Sequence, residues 1–123
     1  MSDHLDFGKQ GEDMAAAYLK EKGFRIRDRN WRFGRNELDI IAEKGDLLVF
    51  AEVKTRRLGS LMPPSAAVDK TKQSIIVRAA DAYIQRYDLD VNARFDIISI
   101  ETDGTETIVE HIEEAFYPPL RRW

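Results

Sequence analysis

Apolar residues recur along the chain at two spacings, and each change of spacing marks an element. Residues 7–22 repeat at helical spacing, with Ala15, Ala16, Tyr18 and Leu19 on one stripe. Asp6 is the expected N-cap and Gly23 the C′ residue that ends the helix. Residues 24–28 then alternate, predicting a strand followed by a turn region near Asn30 and Gly34. Two more strands are expected in residues 37–56, joined at Lys44-Gly45-Asp46. Residues 47–53, LLVFAEV, have the β-branched, aromatic and aliphatic content of a buried central strand. Residues 55–68, with Gly59, Pro63 and Pro64, predict a loop. Helical spacing returns over residues 69–87, where Gln73, Ile76, Ala80, Tyr83 and Tyr87 share a stripe with Ala79 beside it. Residues 93–101 and 107–112 read as two strands about a turn at Asp103-Gly104, and the tail from Pro118 is irregular.

The anomaly in this pattern is an acid in the most apolar strand. Alternation puts Leu48, Phe50, Glu52 and Lys54 on one face, and pairing with the preceding strand brings Asp39 to the same face. A buried carboxylate without a cation costs several kcal/mol, roughly, and Lys54 offsets only one of the two charges. The remaining negative hole suits a divalent metal with hard oxygen ligands, to which the Val53 carbonyl could add one more. Lys54 would then orient a water or stabilise charge on a phosphate, as metal-assisted phosphodiester hydrolysis requires. The alternative is a solvated Glu and Lys at a sheet edge, with Asp39 a turn acid; both readings stand.

Composition narrows the choices. The chain has 123 residues, expected to form one domain over residues 1–123, and no run approaches a membrane span. The N-terminus does not read as a signal peptide, and the lack of cysteine fits a cytoplasmic protein while excluding thiol catalysis and cysteine-bound zinc. His4 and His111 stand far apart, which makes a histidine metal site or a serine–histidine triad unattractive. The net charge of −3 is unevenly spread. Residues 20–80 carry fourteen Lys and Arg against eight Asp and Glu, whereas residues 81–123 carry four against ten. The basic middle holds the suspected site and suits nucleic acid, while the acidic C-terminal third points to a protein contact.

Several residues outside the strand pair are candidates. Glu12 lies on the buried side of the first helix: either it complements the helix dipole, or it is a further site acid reaching toward Asp39 and Glu52. Arg32 and Arg35, near Trp31 and Phe33, and Arg56 and Arg57, in the expected loop, are candidate phosphate contacts, as are Lys70 and Lys72 on the exposed side of the second helix. The alternatives are solvated arginines and a core Trp31. Glu37 and Gln73 are candidates for supporting roles; Gln73 either points toward the acids or bonds the backbone. Asp96 is assigned a structural or edge role.

The order helix–strand–strand–strand–helix–strand, with Glu, Asp and Glu-x-Lys in succession, resembles the restriction-endonuclease-like PD-(D/E)xK superfamily. The chain most resembles the YraN-type family of uncharacterised bacterial proteins. The residues carrying the likeness are Gly8, Gly11-Glu12, Tyr18-Leu19, Gly23-Phe24, Asn30-Trp31-Arg32, residues 37–42 (ELDIIA), residues 49–56 (VFAEVKTR) and Arg94-Phe95-Asp96. The resemblance implies an α/β three-layer domain with a mixed sheet of about five strands flanked by helices. By likeness to archaeal Holliday-junction resolvases it also implies that Glu12, Asp39 and Glu52 bind Mg²⁺ or Mn²⁺, that Lys54 assists, and that the protein is a homodimer. The expected function is metal-dependent endonucleolytic hydrolysis of DNA, at branched structures read by shape. Its rival is a non-catalytic module that holds nucleic acid or protein on the same fold.

Overall fold

The computed structural model describes residues 3–59 and 68–118. Its elements are α1 (Asp3–Glu21), β1 (Arg25–Phe33), β2 (Asn36–Lys44), β3 (Leu47–Arg57), α2 (Lys70–Arg86), β4 (Asn92–Thr102) and β5 (Thr107–Phe116). The strands form one sheet in chain order, with β3 and β4 parallel and every other pair antiparallel. Adjacent parallel strands need a long crossover, and α2 lies within it. One apolar cluster packs Ala15, Ala16 and Leu19 of α1 on Ile40, Val49, Ala51 and Ile98. The other packs Ile76, Ala79, Ala80 and Tyr83 of α2 on Ile41, Leu48, Phe50 and Ile97. The architecture is therefore the expected α/β one, a mixed five-stranded sheet with a helix on each face. Strand β3 is buried from Leu48 to Val53 because both of its faces are covered, which is why its sequence is a nearly unbroken apolar run.

Local sequence accounts for most boundaries and misplaces a few. Helix α1 begins at Asp3, so Asp6 lies within the helix rather than capping it. Its C-terminal end is as expected. Gly23 adopts φ 94°, its N–H donates to the Lys20 carbonyl at 3.0 Å, and the Phe24 N–H donates to that of Leu19 at 3.0 Å. Helix α2 starts after Asp69, whose carboxylate accepts the Lys72 N–H at 2.9 Å. Strand β1 runs through Asn30 to Phe33, and its turn falls at Gly34-Arg35 instead. Asn30 stays in the strand by adopting φ 52°, a left-handed conformation that Asn tolerates better than most residues. Strand β3 extends through Arg57, so Thr55, Arg56 and Arg57 belong to the sheet and not to a loop. Pro63, Pro64 and the C-terminal residues from Pro119 lie outside the described residues.

Tyr83 organises the α2 side. Its ring stands edge-on to Trp31 at 5.1 Å and to Phe50 at 6.1 Å, making Trp31 a core-packing residue. Burial, followed by donation to Asp28 at 2.7 Å, pushes its hydroxyl up to about 12, and Arg27 Nε donates to the same oxygen at 3.0 Å.

On the opposite face α1 is seated through Gly11. A Cβ there would lie 1.9 Å from Thr55 Oγ1 and 2.9 Å from Thr55 Cβ. Gly11→Ala should therefore lower stability by about 1–3 kcal/mol as an overpacking change, although Ala would favour a helix interior by about 1 kcal/mol. Thermal melting should show partial recovery in Gly11→Ala/Thr55→Ala, where two of the three crowding atoms are gone. A single variant as stable as wild type would contradict this seating.

Candidate active site

Asp39 and Glu52 meet where β2 parts from β3. The antiparallel register ends at Ile40↔Ala51, and one further step would set Asp39 opposite Glu52. Side chains replace the ladder there. Val53 N–H donates to Asp39 Oδ2 at 2.9 Å, and Asp39 N–H makes a long 3.5 Å contact to Glu52 Oε2. Regular alternation breaks at the same place, since Leu38 packs with the α2 cluster and Ile40 with the α1 cluster. Asn30 lies across from Asp39, between the pairs Arg29↔Ile40 and Trp31↔Leu38, and its left-handed backbone belongs to this interruption.

The two acids open onto a cavity of about 350 Å³ lined by Phe7, Gly8, Glu12, Asp39, Glu52, Val53, Lys54, Thr55 and Lys72. Burial pushes the Glu52 carboxyl up to about 7, with repulsion from Asp39 adding to it and Lys72 and Lys54 opposing it. Asp39 is also raised, chiefly by burial; the Val53 N–H works against that shift, and Glu12 reinforces it. Charge is thus under-compensated at the pair. Lys72 Nζ lies 3.7 Å from Glu52 Oε1, whereas Lys54 forms no ion pair among the described residues.

Glu12 lines the same cavity but is held from the β1 side. Asn30 Nδ2 donates to its two oxygens at 3.1 and 3.4 Å, and Arg29 lies 3.8 Å away. No group of three His, Cys, Asp or Glu side chains among the described residues is close enough together to hold a metal ion. Two converging carboxylates remain, and these fit Mg²⁺ or Mn²⁺ chemically. Magnesium commonly takes one or two protein carboxylates and fills its other positions with water and phosphate oxygen.

The cavity therefore gathers Glu12, Asp39, Glu52, Val53 and Lys54 as expected, and adds Lys72. Lys72 was expected on the exposed side as a phosphate contact; it instead reaches the acids. Side chains on a helix lean toward its N-terminus, and the cavity lies at that end of α2. For Gln73 the structure decides between the two alternatives in favour of the backbone. Its amide donates to the Val68 carbonyl at 3.1 Å, and it lines a separate pocket with Lys70, Ser74, Val77 and Tyr117. Glu37 is exposed, pairs with Arg32 at 3.0 Å and does not line the cavity. Arg56 is drawn to Glu101 at 3.4 Å, its register partner on β4. Arg35, Arg57 and Lys70 are exposed and form no ion pair among the described residues.

Asn30 is not among the sequence's site candidates, although it stands in the Asn30-Trp31-Arg32 run that carries the resemblance. Its local signal is that of a turn, and only the continuation of β1 beyond it turns that signal into an amide aimed at Glu12. Asp96 is structural, as expected, but central. Burial would raise its carboxyl, yet hydrogen bonds with His111 at 2.7 Å, Arg94 at 2.9 Å and the Glu114 N–H at 3.1 Å hold it below the usual range.

Fold and site together define an α/β protein of the three-layer, mixed-sheet class with an acidic pocket at the point where two central strands separate. Residues 11–100 match the uncharacterised protein family UPF0102, the YraN-type family, and the chain belongs to it. A UPF0102 protein of Bacteroides thetaiotaomicron is 50% identical over 120 residues, covering 98% of this chain and 99% of that protein. One from Phocaeicola vulgatus is 48% identical over 120 residues with the same coverage, and one from Flavobacterium psychrophilum is 42% identical over 117 residues, covering 95% and 98%. No helix among the described residues is long and apolar enough to cross a membrane.

The raised Glu52 carboxyl fixes the sign of a pH effect. Between the usual Glu range and about pH 7 the folded protein retains a proton that the unfolded chain has released. Metal-free stability should therefore fall as pH rises across that window, by about 3 kcal/mol at most. Chemical denaturation in a chelator should show this slope in wild type and a flatter one in Glu52→Gln. Equal slopes would remove Glu52 as its source.

Proposed function

We propose that this protein is a divalent-metal-dependent endonuclease that hydrolyses DNA phosphodiesters, with branched DNA as its expected substrate. The observation that supports this reading is the pairing of the buried Glu52 carboxylate with the half-buried Asp39 carboxylate on one open cavity bordered by lysines from β3 and α2. Structural ion pairs are normally compensated, and this pair is short of positive charge. Asp39 and Glu52 would hold Mg²⁺ or Mn²⁺, with the Val53 carbonyl and Glu12 as further ligands. When bound, the ion supplies Lewis acidity toward phosphate oxygen and lowers the pKa of water.

The chain's own groups supply the rest. The Val53 N–H keeps the Asp39 carboxylate oriented, so it need not be reorganised during reaction. Lys54 lines the cavity, where its ammonium would stabilise charge gathering on the phosphate. Hydrolysis adds water to phosphorus and breaks one P–O bond, the leaving oxygen taking a proton. Arg35, Arg57 and Lys70 are exposed cations suited to flanking phosphates.

The rival reading, a binding module without catalysis, draws on one specific observation: Glu12 is held by Asn30 and Arg29, so the acids do not form a closed three-carboxylate set. Asp39→Asn separates the two. It keeps the side chain's shape and an acceptor for the Val53 N–H while removing one of two repelling charges. Mn²⁺-dependent nicking of duplex, flap and four-way DNA should fall by roughly two orders of magnitude or more, while metal-free melting holds or rises. A wild type that binds these DNAs but cleaves none under any metal would overturn the nuclease reading. A mutant that melts far lower without metal would make Asp39 a structural residue.

A further inference from the structure

We propose that Lys72 is the resident counter-ion of the acid pair and that a divalent cation displaces it, releasing its ammonium to contact a nucleic-acid phosphate at the cavity. The inference deepens the nuclease reading and rests on it for the phosphate contact. The counter-ion role rests on the geometry alone.

The two partners of the Lys72–Glu52 pair are unequally held. The Glu52 side chain is 3% exposed, and its second oxygen faces the Asp39 N–H, so the strand keeps it in place. The Lys72 side chain is 41% exposed, and its ammonium approaches Glu52 at 3.7 Å, beyond hydrogen-bond distance. Charge alone holds it there. Its backbone cannot follow a displaced side chain, because the Lys72 N–H is capped by Asp69 at 2.9 Å and α2 is anchored in the core by Ile76 and Tyr83. The only freedom lies in the four-carbon stem.

Asp39 and Glu52 would hold a divalent ion, which would bring them twice the charge of an ammonium. It would satisfy Glu52 better than Lys72 does and would repel Lys72. The released ammonium would remain at the cavity rim, where a backbone phosphate brings the negative charge it has lost. Metal and DNA would then favour one another through a single side chain, each raising the affinity for the other. Lys54 provides the internal comparison: it lines the same cavity and its charge also acts on the pair, but it forms no ion pair among the described residues, so a bound ion would displace it less.

The full-length protein, Lys72→Met, Lys72→Arg and Lys54→Met are compared in two measurements, with circular dichroism confirming that each is folded. Titration calorimetry with Mn²⁺ and no DNA should show Lys72→Met binding the ion about tenfold more tightly than wild type. Lys54→Met should change affinity by clearly less, and Lys72→Arg should stay near wild type. Fluorescence anisotropy on four-way DNA over a salt series is then run in chelator and in Ca²⁺. With Ca²⁺ the slope of log K against log salt should be shallower by about one in Lys72→Met, and in chelator the two slopes should coincide. Unchanged or weaker Mn²⁺ binding by Lys72→Met, or an equal gain in Lys54→Met, would overturn the counter-ion role. A slope difference of the same size with and without Ca²⁺ would show an ordinary phosphate contact and overturn the gating. Absence of DNA binding by every variant would overturn both the gated contact and the nuclease reading, and the Mn²⁺ arm would still decide the counter-ion.

Discussion

Everything at the centre of this protein depends on how two carboxylates are accommodated where β2 and β3 separate. A sheet interior requires its N–H groups to be bonded, and a buried carboxylate requires donors. The two needs meet in one arrangement: Asp39 takes the N–H of Val53, and Glu52 lies against the N–H of Asp39. Backbone groups that would otherwise be orphaned by the parting strands are thereby occupied. The acids remain undersupplied with charge, because N–H dipoles do not cancel two anions. The strand separation and the demand for a cation are thus one structural fact seen from the backbone and from the side chains.

The same device recurs at β4 and β5 with the opposite electrostatic outcome. The register shifts between Phe95 and Ile97, Glu114 adopts φ 49°, and the freed Glu114 N–H donates to Asp96. There Arg94 and His111 complete the compensation, and the carboxyl is lowered rather than raised. Two aspartates, Asp96 fully buried and Asp39 half-buried, therefore occupy similar interruptions of one sheet, one neutralised and one left short. That contrast separates the architectural acid from the one suited to chemistry.

Much of this was legible in the sequence, where physics acts locally. The acid within LLVFAEV is anomalous without knowledge of any partner, and pairing the two strands about the turn at residues 44–46 carries Asp39 to its side. Gly23 ends α1 because the chain must turn left-handed there, a requirement expressed in one residue. What escaped depends on direction and reach. Lys72 and Gln73 are neighbours; the helical stripe left Gln73 open between the acids and the backbone and put the Lys72 ammonium outside. The long lysine leans back over the N-terminal turn to the cavity, while the shorter amide finds the Val68 carbonyl. The basic surplus of the middle segment was likewise visible. Its local neutralisation was not, because the pairing of Arg25 and Arg27 with Glu43, and of Arg29 with Asp13, is set by strand register and helix packing.

Helix α1 is fastened twice. Gly11 rests on Thr55 without space for one more carbon, and seven residues later the Tyr18 hydroxyl meets His111 Nδ1 at 3.0 Å. Those points are two helical turns apart, about 10 Å along the axis. Glu12 lies within that span, immediately after the tighter fastening. It can approach the other acids only by exchanging rotamers, after letting go of Asn30, and not by any travel of the helix. One wall of the cavity is consequently set by packing at Gly11 and by the hydrogen bond at Tyr18, and its shape follows from contacts made away from the acids themselves.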